Sequence, residues 1–150
     1  MSADLLHEIR QSKTYATFKT VVETVKKRVD LDRGMEEALS LHAGRLSRNI
    51  RGERRYSPKI LIDASLQDLS YRSRLVEIRV KNDLQLATLR EAIDAMRRHI
   101  STEYSEDLRD FATAEQRRSF VDRVLKNQKT FLAEGEAFIH TLDSLIKDID

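Results

Sequence analysis

The stretch from Thr113 to Ile149 limits this chain more than any other. Its apolar residues Val121, Val124, Phe131, Phe138, Leu142, Leu145 and Ile149 recur at steps of three and four, with Gln128 and Gly135 in the gaps. A second file, Leu125, Leu132, Ile139 and Ile146, runs beside it at steps of seven. Together they form one broad apolar stripe on a single helix. A two-stranded seam needs only the first file. The second implies a helix bedded among several neighbours, so Val124, Leu125, Phe131, Leu132, Phe138, Ile139, Leu142, Leu145, Ile146 and Ile149 are the expected bundle and oligomer interface.

The remaining chain supplies helices to cover that stripe. Ser57-Pro58 is a start signal: serine caps, and proline at the first helical position gives up no hydrogen bond. No glycine or proline follows until beyond Ile100. Ile62, Leu66, Leu69, Val76 and Val80 keep one 3/4 register, with Ser73 in its gap. Leu86, Leu89, Ile93, Met96 and Ile100 keep another. Leu84 and Ala87 bridge the phase slip, which reads as a stutter or bend. Val76 to Lys81 also alternates as a strand would, but no turn residues bound it and no partner strand is evident.

Upstream, Ser2 is placed to cap a short helix holding Leu5, Leu6 and Ile9. Thr14 is placed to cap a second, with Tyr15, Phe18, Val22, Val25 and Val29 on one face; the two could be one bent helix. Val29 to Gly34 reads as a turn, with Asp32 capping a third helix that carries Leu31, Met35, Ala38, Leu41 and Leu46. Ser101 to Ala112 is a turn region, and Thr113 to Gln116 fits a capping box. Gly135, opposite bulky neighbours, suggests a close helix crossing or a nearby aromatic ring.

The expected fold is therefore all-α. It is a long antiparallel helical hairpin, about 58–100 against 114–149, with an N-terminal helical unit of 3–48 and a basic connector of 49–57, in one domain of 1–150. Composition agrees, with few turn formers and 6% aromatic residues. Such a hairpin buries little surface per residue, so an oligomeric bundle is expected. Long hairpins joined to a small helical unit are similar in architecture to phage assembly proteins, packaging-recognition subunits and recombination accessory proteins, a likeness of shape that carries no residues with it.

Charge is unevenly spread. Residues 45–59 hold six basic side chains and one acidic, whereas residues 101–150 hold seven basic and eleven acidic. Arg45, Arg48 and Arg51 would line one helical face, and Arg54, Arg55, Tyr56 and Lys59 follow. Arginine suits bidentate phosphate contact, and a tyrosine can stack on a base. Two readings stay open: a nucleic-acid-binding segment, and a solvated connector whose arginines pair with the acidic C-terminal third. The near-zero net charge of +2 favours the second. Arg97, Arg98 and His99, with Arg117 and Arg118, flank the acidic set Glu103, Glu106, Asp107 and Asp110, and a local ion-pair network is expected there.

No catalytic, cofactor or metal site is expected. Cysteine is absent, which removes thiolate nucleophiles and zinc-thiolate sites. The four histidines show neither zincin nor di-iron spacing, and no phosphate-cradling glycine loop exists. No apolar run approaches the roughly 20 residues of a membrane helix, and Met1 to Asp4 does not read as an export signal. The expectation is a non-enzymatic structural, assembly or adaptor protein in the cytoplasm or a virion, acting through self-association or a protein partner, with nucleic-acid binding as the alternative.

Overall fold

In the computed structural model, residues 2–51 and 58–149 are described, with side chains for all of these except 2, 45–51 and 60. The described residues form seven helices and no strand: α1 (Ser2–Gln11), α2 (Lys13–Arg28), α3 (Leu31–Arg51), α4 (Pro58–Glu103), α5 (Ser105–Leu108), α6 (Ala114–Val124) and α7 (Lys126–Ile149). The all-α fold is as expected, and the segment that alternates like a strand, Val76 to Lys81, lies inside α4.

The boundaries have local causes. The Ser12 side chain accepts a hydrogen bond from the Tyr15 amide at 3.2 Å, so Ser12, not Thr14, caps α2. Its hydroxyl also donates to the Ile9 carbonyl at 2.7 Å, closing α1 with the same residue that opens α2. Asp30, not Asp32, caps α3: its carboxylate accepts from the Arg33 amide at 3.1 Å. The turn there is shorter than the Val29–Gly34 span suggests, because helix resumes at Leu31. Pro58 opens α4 as expected, while the Ser57 cap lies outside the described residues.

Thr113 caps α6, accepting from the Gln116 amide at 3.1 Å. The Gln116 side chain reaches back to accept from the Ala112 amide, one residue beyond the usual capping-box target. The C-terminal helix is not one rod. Leu125 takes a turn conformation between α6 and α7, with no glycine or proline to cause it.

The chain divides into two compact units, Met1–Val29 with Gln85–Glu134, and Asp30–Leu84 with Gly135–Asp150. The 3–48 segment therefore contributes to both.

In the first unit, α1, α2, the C-terminal part of α4, α5, α6 and the start of α7 share a core. Ile9, Val22, Val25, Leu86, Leu89, Ile100, Phe120, Val124 and Leu125 are almost completely enclosed. Each such aliphatic or aromatic side chain contributes roughly 1.5–3 kcal/mol by leaving water. Three threonines on the outer side of α2 return their hydroxyls to carbonyls one turn back, which keeps this β-branched helix polar outside. Gln128 is buried, and its amide nitrogen donates to the Tyr15 hydroxyl at 3.4 Å. Arg97 lies 3.9 Å from Asp122, marking the α4–α6 pairing.

The second unit is built from α3, the N-terminal part of α4 and the C-terminal part of α7. Ala38, Leu75, Ile78, Phe138, Ile139, Leu142 and Leu145 are its buried apolar residues. Gly34 makes the α3–α7 approach: a Cβ there would meet the Phe138 ring at 2.8 Å. Gly135, expected at a close helix crossing or beside an aromatic ring, is buried.

Candidate interaction surface

Burial along α4 corrects the reading of its two registers. The buried positions form one file: Leu75, Ile78, Asn82, Leu86, Leu89, Ile93, Met96 and Ile100. The steps are all three or four, so the buried face shows no phase slip. The residues Ile62, Leu66, Leu69 and Val80, expected to be core, are exposed, the first three at 60% each. Leu84, the expected bridge, is exposed at 64%. At about 100° per residue, the 62–84 file lies on nearly the opposite side of α4 from the buried one. The apparent stutter comes from reading two faces of one helix as a single face that shifts.

The N-terminal half of α4 is therefore apolar on two sides. One side, with Leu75 and Ile78, packs inside the second unit. Asn82 sits in that buried file, its amide nitrogen bonded to the Ile78 carbonyl at 2.8 Å, which lets a polar residue occupy a core position. The other side carries exposed Ile62, Leu66, Leu69, Val80 and Leu84, with Ser73 exposed and Val76 half-buried in its middle. A single exposed leucine is ordinary. A file of them at helical spacing is the mark of an interaction face. Exposed Leu39 on α3 and Leu61 add apolar surface to the same unit.

Ion pairs hold α4 so that this face points away from its own unit. Arg74 donates through Nε and Nη2 to the two carboxylate oxygens of Glu37 on α3. It also lies 3.2 Å from Glu77, one turn on. Arg79 forks onto Asp143 of α7. The hydrogen bond from Arg74 holds the Glu37 carboxyl below its ordinary value of 4.5. Hydrogen bonds to carboxylates likewise raise Arg74, through Glu37, and Arg79, through Asp143. These pairs are largely exposed and screened, so they orient more than they stabilise.

The C-terminal stripe is covered within the chain. Val124, Leu125, Phe138, Ile139, Leu142 and Leu145 are buried, while Phe131, Leu132, Ile146 and Ile149 are half-buried. Lys26 stands 5.5 Å from the Phe131 ring centre, screening part of it. Of the basic segment, Lys59 is exposed. The side chains of Arg45, Arg48 and Arg51, and all of Arg54, Arg55 and Tyr56, lie outside the described residues.

The first unit holds a cleft of about 630 Å3 lined by Arg97, Arg117, Arg118, Asp122, Lys129 and neighbouring serines. Asp122 draws two of those cations: it accepts from Lys129 at 3.0 Å and faces Arg97. Arg97 also donates to Asp94 at 3.2 Å. These partners are Asp94 and Asp122, not the Glu103–Asp110 set expected from the sequence. Among the described residues no three acidic or histidine side chains gather as a metal site would require, and no helix is long and apolar enough to cross a membrane.

Compared with protein-family models, curated proteins and solved structures, the chain matches none.

Proposed function

We propose that this is a non-enzymatic structural, assembly or adaptor protein that works by self-association and protein–protein contact. The observation that carries this reading is the exposed apolar file of α4, from Ile62 to Leu84. A helix apolar on two opposite sides loses free energy if one side stays wet, at roughly 25 cal/mol per Å2 left exposed. A partner that covers the face removes that cost. Light scattering across a concentration series tests the reading. The mass is expected to rise above the 17.4 kDa of one chain. A mass fixed at one chain up to millimolar concentration would remove self-association from the proposal.

A second reading rests on the six basic side chains of Arg45–Lys59. In it, self-association arrays several copies of this segment along a nucleic-acid backbone. Retention on single- and double-stranded DNA should then be strongest near about 50 mM salt and fall steeply as salt rises. Changing Arg48, Arg51, Arg54 and Arg55 together to glutamine should flatten that dependence. No retention at low salt ends this second reading and leaves the first intact.

A further inference from the structure

We infer that the exposed face of α4 is covered by the same face of a second copy of this chain, the two helices running parallel and in register. The inference rests on the self-association reading and names the surface, the occupant and its orientation.

Spacing comes first. Ile62, Leu66, Leu69, Ser73, Val76 and Val80 alternate steps of four and three, the a/d pattern of a coiled-coil seam, for close to three heptads. The seam has defined ends. The preceding seam position is Lys59 and the following one is Asp83, both charged. Inside those ends five of the six positions are apolar, and the sixth is a small serine that two helices can share without a clash.

Charge selects the occupant and its direction. The positions flanking the seam include Arg72 on one side and Glu77 on the other. In a parallel, in-register pair, a residue on the first flank faces the residue five further on in the other helix. Arg72 of each copy, half-buried and already in contact within its own chain, then faces Glu77 of the other, twice by symmetry. An antiparallel pair, in which each a position faces a d position, would centre on Tyr71 and bring the two Arg72 side chains together. Glu77 already receives Arg74 at 3.2 Å, yet its side chain remains 69% exposed, so its carboxylate has room for a second donor. A two-fold axis makes the face self-complementary, as an isologous dimer requires.

Area sets the strength. The seam spans roughly 28 Å of helix and is roughly 10 Å wide, a strip of about 280 Å2 per copy. A standard stable interface takes about 800 Å2 from each partner. The dimer is therefore reversible, forming as concentration rises.

The absence of cysteine makes the test clean. Val80→Cys alone should give a covalent dimer on mild oxidation, because Val80 faces Val80 only in the parallel register. An equimolar mixture of Ile62→Cys and Val80→Cys chains that cross-links while neither does so alone would establish the antiparallel arrangement and overturn the inference. Without added cysteines, Leu66→Gln/Leu69→Gln should stay at the mass of one chain at concentrations where the unaltered protein doubles it. Circular dichroism should show unchanged helix content, since both leucines are exposed. Glu77→Arg should raise the dimer dissociation constant several-fold, and Arg72→Glu/Glu77→Arg should restore it. If the unaltered protein gains mass while none of these variants responds, self-association stands and its assignment to α4 falls. If the unaltered protein never gains mass, the second copy is not the occupant and both fall.

Discussion

At the scale of single residues, small changes in this fold have opposite signs depending on what they meet. Gly34→Ala would gain about 1 kcal/mol of helix propensity. It would also push a methyl group into the ring of Phe138, which is 2% exposed. Overpacking of that kind costs about 1–3 kcal/mol. The steric loss should win, lowering the melting temperature by about 2–4 °C. The loss should shrink in a Phe138→Leu background, a coupling that a double-mutant cycle of thermal melts measures. Glu37 gives a pH signature. Its carboxyl is held below 4.5 in the folded chain by Arg74, so its contribution is complete above that value and disappears as pH falls through the folded one. Glu37→Gln should therefore melt slightly lower at neutral pH and show a shallower loss of stability on acidification. Equal acid slopes for both proteins would show that the pair adds nothing. None of this could be read from sequence. Gly34 looks like a turn glycine until the ring of Phe138, more than a hundred positions away, is placed against it.

At the scale of the helix, α4 sets the main test. Leu75 and Leu69 are the same residue type, six positions apart, on opposite sides of one helix. Leu75 is 1% exposed, and Leu75→Ala should cost about 2–5 kcal/mol in unfolding free energy. Leu69→Ala should change it by less than about 0.5 kcal/mol in dilute solution. Denaturant unfolding of the two variants compares them directly, and similar costs would mean that both faces are core. The existence and type of the helices were legible from periodicity, including the proline-led start of α4 and the Thr113 cap of α6. Which apolar file faces inward was not legible. The true inner file of the second unit passes through Asn82 and looks broken in sequence, whereas the exposed file holds larger and more regular side chains. The turn at Leu125 was hidden for a similar reason, since no residue there breaks a helix by itself.

At the scale of the whole molecule, the consequence is a link between assembly and stability. A second copy that binds only the folded chain raises the melting temperature with protein concentration. The midpoint of unaltered protein should climb over a hundredfold concentration range, while that of Leu66→Gln/Leu69→Gln should stay level. Parallel behaviour of the two would place any self-association elsewhere. The broad C-terminal stripe, read from sequence as too wide for one companion, is covered inside the chain by the other helices. Its width alone therefore gives no reason to invoke a second molecule; the opposite face of α4 does.

Periodicity, the scarcity of glycine and proline, and the capping residues determined an all-helical chain, because those signals act within a few residues of backbone. Charge spacing likewise marked the arginine segment without needing any fold. The tertiary structure decided which side of α4 is wet and which glycine an aromatic ring needs empty. Those outcomes depend on contacts between residues distant in the chain, and an apolar file reads the same in sequence whether a neighbouring helix lies against it or water does.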